Sequence, residues 1–149
     1  MNEHLIHKAF STQKTTKIGI GVLIFKDDKL LLGRRKGYHG SGEYEVPGGE
    51  LDYMESFESC ARRETREETG LEIENIRFLD LQNLKSYAPK HYVDIGLLAD
   101  WKSGEPKVLE PEMCSGWSWY DLNDLPKPLF AALQADIDAL NTGQKMFDA

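Results

Sequence analysis

Apolar positions in this chain gather into short runs whose period changes along its length. Ile18-Gly-Ile-Gly-Val-Leu-Ile-Phe25 and Leu30-Leu-Leu32 are apolar blocks separated by Lys26-Asp-Asp-Lys29, which predicts two strands joined by a hairpin turn. Residues 37–43 (GYHGSGE) read as a glycine-rich loop, Tyr44 to Val46 as a short strand, and Pro47-Gly48-Gly49 as a breaker that lays backbone bare. A helix is expected from a Ser56 N-cap to about Thr69, with Gly70 suited to the left-handed position after a helix end. Further strands are expected within 71–84, 91–101 and 114–120. A second helix fits Leu129 to Leu140, where Leu129, Ala132, Leu133, Ile137 and Leu140 keep helical spacing after Pro126 and Pro128. Residues 1–17 are polar and read as a tail or lead-in strand, 18–141 as a single domain, and 142–149 as a tail that frays beyond Asn141 and Thr142. This order of elements suggests a mixed-sheet α/β or α+β sandwich.

The length of 149 residues suits one domain, and 40% hydrophobic with 29% charged residues is the balance of a soluble globular protein. No run approaches the roughly 18 apolar residues of a membrane span, and Met1 to Phe10 lacks the apolar block of a secretory signal, so no membrane partner and a cytoplasmic location are expected. Cys60 and Cys114 have neither metal-ligand spacing nor the density of a disulfide scaffold, and are expected to be reduced and structural. The formal charge of -7 speaks against nucleic acid as a partner. An acidic enzyme acting on a phosphate compound needs cations, which bound metal and a few local basic residues would supply.

The informative segment is GELDYMESFESCARRETREETGL, residues 49–71. At about 100° per residue, Phe57, Cys60 and Ala61 fall within about 60° of Glu64, and so do Glu67 and Glu68, whereas Ser59, Arg62, Arg66 and Thr69 lie opposite. A charge-rich helix is usually a solvated face stitched by i,i+4 pairs. Here three carboxylates share the arc of the apolar anchors, where they would repel one another and lose hydration unless something positive sat beside them. Carboxylate oxygens are hard ligands, so the expected metal is Mg2+, with Mn2+ as an alternative and calcium a weaker one.

These residues resemble the Nudix box, G-x5-E-x7-R-E-U-x-E-E-x-G-U with U a bulky aliphatic residue. Gly49, Glu55, Arg63, Glu64, Glu67, Glu68, Gly70 and Leu71 match, and Thr65 at the first U position is the one departure, which touches packing and not ligation. The resemblance runs from about Ile18 to Leu140 and looks most like the MutT-type branch acting on nucleoside triphosphates. It implies the Nudix fold, an α-β-α sandwich around a mixed β-sheet, with the box as loop-helix-loop. By matched position it implies Glu64, Glu67 and Glu68 as metal ligands aided by the carbonyl of Gly48. Glu55 and Arg63 would support them or handle protons. Metals would neutralise the phosphates and activate a water for in-line attack on phosphorus, with Glu64 the first choice of general base and Glu55 the second.

Outside the box, Arg34, Arg35 and Lys36 form a basic cluster at a strand end, and Arg35 is the expected phosphate contact, with Gly48 and Gly49 bordering the substrate; the bland alternative is a snorkelling surface residue. Glu110 and Glu112, in a proline-marked loop, are candidates for an additional acid. Asp94 within Tyr92-Val-Asp-Ile95 either faces the pocket or points outward. Trp117, Trp119 and Tyr44 are candidates for stacking a base, although core packing is the commoner fate of such aromatics. His39 and His91 carry no interpretable spacing.

The leading expectation is hydrolysis of a nucleoside or deoxynucleoside triphosphate to the monophosphate and pyrophosphate. The alternatives are hydrolysis of a nucleoside diphosphate linked to another moiety, such as ADP-ribose or a sugar nucleotide, and a nucleotide-binding sensor without turnover. The intact set of box residues speaks against the sensor. The triphosphate branch also suggests a homodimer.

Overall fold

The computed structural model describes residues 14–148. β1 (Thr16–Lys26) and β2 (Lys29–Arg35) turn back on each other through Asp27 and Asp28, whose φ of 51° and 64° are the left-handed pair that a tight hairpin turn demands. The next strands are β3 (Tyr44–Glu45) and β4 (Gly48–Glu50), followed by α1 (Phe57–Thr69). Then come β5 (Glu72–Leu84), β6 (His91–Ser103), β7 (Cys114–Asp121), α2 (Ala131–Thr142) and β8 (Met146–Asp148). The sheet runs β3-β2-β1-β6-β5-β8, with β4 beside β1 and β7 beside β2. It is mixed: β1 pairs with β6 and β5 with β8 in parallel, and the other ladders are antiparallel.

Alternation along β1 feeds two cores. Ile20, Val22 and Ile24 pack with Cys60 and Ala61 of α1, and Leu23 packs with Leu30, Leu32, Ala132 and Leu133 on the α2 side. Each such aliphatic side chain contributes ~1.5–3 kcal/mol when fully buried, so the sheet is held between its two helices as an α-β-α sandwich.

Several expectations need correction. Pro47-Gly48-Gly49 does not simply break the chain, because Gly48, Gly49 and Glu50 pair in antiparallel register with Gly21, Ile20 and Gly19 of β1. A Cβ at Gly48 would collide with the Ile20 carbonyl, so the bare backbone is what permits this close approach. The C-terminal segment does not fray after Asn141, because Met146–Asp148 adds β8 to the edge of β5. The second helix starts at Ala131 with Phe130 as its cap, and Leu129 lies before it, bridged to Tyr44. On α1, Thr69 is buried and its hydroxyl donates to the Thr65 carbonyl at 2.6 Å, whereas Phe57 is exposed in the first turn. Thr16 and Lys17 open β1, and residues 1–13 of the expected tail lie outside the described residues. Among the described residues no helix is long and apolar enough to cross a membrane.

Candidate active site

β1 and β2 pair only beside their turn, at Phe25 with Leu30 and Lys26 with Lys29. Farther along, β4 follows β1 while β3 keeps to β2, so the sheet splays and the segment leading to α1 passes through the gap. The Ser56 hydroxyl accepts from the Ser59 amide at 3.0 Å and Gly70 closes the helix at φ 77°, as the sequence predicts. Cys60, Ala61, Thr65 and Thr69 anchor α1, and Glu64, Glu67 and Glu68 lie along its seam with β4. The three differ in burial: Glu68 accepts from the Gly48 amide at 3.0 Å, the Glu64 side chain is 13% exposed, and that of Glu67 is 50% exposed. A Cβ at Gly49 would overlap the Glu64 carboxylate, so only glycine lets that group lie against the backbone.

Arg63 ties the box together. Its guanidinium donates to both Glu55 oxygens at 2.8 and 2.9 Å, to Glu64 at 2.8 Å, to Glu67 at 3.3 Å and to the Glu50 carbonyl at 3.2 Å. The Arg63 bonds hold the Glu55 carboxyl down at about 2, which makes it a weak base. Burial pushes Glu64 up against the pull of Arg63, with Glu67 and Glu110 adding repulsion. Burial likewise pushes Glu68 well up against its Gly48 bond, with Glu64, Glu110 and Glu45 adding to the rise, and burial raises Glu110. A rim of acids that resist ionisation fits a bound cation, which would relieve all of them at once. Among the described residues no three His, Cys, Asp or Glu side chains close into a ready-made cage. An open rim suits a cation that keeps waters and shares substrate phosphates.

The rim opens into a cavity of ≈ 480 Å³ that passes Gly19 and Gly21 and reaches Gln82 and Asp136 beside α2. Its cationic lining residues are Arg34, Arg35 and Lys90. Arg35 is no snorkelling surface residue: its guanidinium lies 4.2 Å from the Tyr38 ring centre and 4.0 Å from that of Phe130, and its Nε donates to the His39 carbonyl at 3.1 Å. Because Arg35 is built into the wall, Arg35→Lys is expected to lower both Tm and kcat/KM, the latter by roughly tenfold, since an ammonium cannot reproduce the stacked fork. Thermal melts with kinetics on one substrate check this, and a variant unchanged in both contradicts it.

Glu110 and Trp117 line the cavity, and Glu112 does not. Trp119 packs on the α1-side core and Tyr44 against Tyr120, so neither is placed to stack a base in this cavity. Asp94 sits on central strand β6 and lines the cavity, where burial pushes its carboxyl up to about 6 against the pull of Arg35. Sequence reasoning missed Tyr38, His39, Glu45, Gln82, Tyr92 and Asp136, which belong to no motif. Cys60 and Cys114 are buried free thiols.

Burial raises the Glu45 carboxyl from its ordinary 4.5 to about 8, against Arg35 and the Val46 amide, with Asp94 and Glu43 adding to the rise. The folded chain therefore binds a proton that the unfolded chain releases, and this contribution to stability falls as pH rises from about 5 to about 8. Tm of the wild type is expected to drop across that window relative to Glu45→Gln. Parallel Tm curves for the two proteins would contradict it.

The NUDIX domain profile matches residues 15–140. The NAD-capped RNA hydrolase NudC of Vibrio atlanticus (strain LGP32) is 34% identical over 105 residues, which cover 70% of this chain and 37% of that protein. The chain thus spans well under half the length of that relative. The MutT NUDIX hydrolase of Burkholderia pseudomallei superposes with a TM-score of 0.79 at 34% identity, covering 83% of this chain and 97% of the other. The NUDIX domain of Shewanella oneidensis NrtR, solved with ADP ribose, superposes at 0.72 with 24% identity, covering 97% and 100%, and supports the fold alone. The splayed sheet, the box helix laid along its gap and the match over residues 15–140 agree, and the chain belongs to the Nudix hydrolases.

Proposed function

We propose that this chain hydrolyses a phosphoanhydride bond in a nucleotide in which a nucleoside diphosphate is linked to a second moiety. Nudix hydrolases take nucleotide substrates and generally use divalent metal ions. The observation that carries the reading is an acidic rim continuous with a cavity whose lining holds few cations. A diphosphate asks less neutralisation of such a site than a triphosphate does. Relatives named for NAD-capped RNA lean the same way. They also weaken the expectation that nucleic acid is no partner. The MutT relative supports the triphosphate as a second reading.

Glu64, Glu67, Glu68 and the Gly48 carbonyl would hold Mg2+ or Mn2+, with Glu110 the added acid. When bound, the metal supplies charge neutralisation at phosphate and a more acidic water. Glu64, held in place by Arg63 and Gly49, would take the proton of the attacking water, and Glu55 would fix Arg63. Arg35 with the Gly48 and Gly49 backbone would orient the phosphates. A panel of triphosphates, ADP-ribose, dinucleotides and sugar nucleotides assayed with magnesium tests this: turnover restricted to triphosphates would overturn the diphosphate reading.

A further inference from the structure

The glycine-rich loop at 37–43 sets His39 into the cavity wall, where the proposed hydrolysis has no step for it. Its ring lies among four others, 5.2 Å from Tyr38, 5.4 Å from Tyr87, 5.9 Å from Phe130 and 6.0 Å from Tyr92. A Cβ at Gly40 would strike the Phe130 ring and crowd Arg35 Nε, so the bare backbone lets the loop fold onto both. Arg35 makes two bonds to His39: Nε donates to its carbonyl at 3.1 Å and Nη2 to its ring Nε2 at 3.2 Å. A guanidinium offers no acceptor, so Nε2 must accept and the ring proton sits on Nδ1. Nδ1 is buried without a partner. The ring leaves its own N–H unsatisfied in order to accept from Arg35, which packing alone does not require.

The partners of Arg35 are also neutral. Of the six arginines, Arg62, Arg63, Arg66 and Arg77 pair with carboxylates; among the described residues Arg34 and Arg35 form no such pair, and both line the cavity. Burial, Arg35 and Lys90 together hold His39 down at about 4, so its ring is uncharged at neutral pH. Glu45 and Asp94 feel the pull of Arg35, yet burial holds both toward the neutral form. A carboxylate in place of the His39 ring would fix the fork equally well but offset its charge.

We infer that His39 is a positioning residue, a neutral acceptor that aims the Arg35 fork into the cavity and leaves its full charge for the substrate's phosphates. This rests on the reading of Arg35 given above and adds the group that orients it.

The test is binding of α,β-methylene ADP, an uncleavable diphosphate, with magnesium by titration calorimetry, beside 15N spectra of the histidine rings. The wild type should show His39 in the Nδ1–H form, assigned by the signal lost in His39→Gln, and Arg35→Met should release that preference. His39→Gln keeps a neutral acceptor and should bind within about threefold of the wild type. His39→Leu removes the acceptor and His39→Glu adds a charge, and each should weaken binding about tenfold, the scale of one hydrogen bond to a charged group. Gln and Glu share a shape, so their ratio reads the charge even where the packing of the ring is lost. An Nε2–H ring in the wild type overturns the inference. So does His39→Glu binding as tightly as His39→Gln, the pattern of a residue that only packs. If Arg35→Met binds like the wild type, the reading of Arg35 as the phosphate contact fails; if Arg35→Met weakens binding and His39→Leu does not, the His39 inference alone fails.

Discussion

Glu68→Gln is expected to cut turnover more than about 100-fold while leaving the fold intact or firmer. Changes behind a metal's ligands typically cost about 10–100-fold, and loss of a ligand should exceed that. The substituted amide oxygen can still accept from the Gly48 amide, which now holds the carboxylate at 3.0 Å. A buried carboxyl that is costly to ionise beside Glu64, Glu110 and Glu45 is replaced by a neutral amide, so Tm should hold or rise. Kinetics at limiting magnesium with a thermal melt read both quantities. Near-normal turnover would remove Glu68 from the metal site.

Arg63→Lys is expected to be as damaging for a different reason. A lysine cannot span Glu55, Glu64, Glu67 and the Glu50 carbonyl from one planar group. Glu64 would lose the guanidinium hydrogen bond that opposes its rise, so a higher pH would be needed to ionise it. The acid limb of the pH–rate profile should therefore move up and Tm should fall, with kcat/KM at neutral pH down more than about 100-fold. An acid limb that stays in place would exclude Arg63 as the group that tunes Glu64.

The helix carrying the box was legible because three signals agreed: the Ser56 cap, the Gly70 stop and carboxylates lying on the anchored face. The hairpin was legible for a similar reason, a pair of turn residues between apolar blocks. β4 was hidden because glycines carry no side-chain pattern, and β8 because a short edge strand depends on a partner distant in sequence. Asp136 shares a helical face with the buried Ala132, Leu133 and Ala139, so the angular reasoning used for the glutamates would have found it. Asp80 and Gln82 alternate inward with Leu84 on β5, but irregularities in its register with β6 blur the period. Which aromatic residues reach the cavity depended on where the sheet splays, and no local pattern reports that.

The most direct test is hydrolysis in 18O-labelled water with magnesium, using ADP-ribose and a nucleoside triphosphate side by side and mass analysis of the products. Attack of water on phosphorus predicts AMP and ribose phosphate from ADP-ribose, one 18O on a phosphate of one product, and no reaction with chelator present. Absence of hydrolysis of either compound with both magnesium and manganese, or label found only in the sugar, would contradict the account.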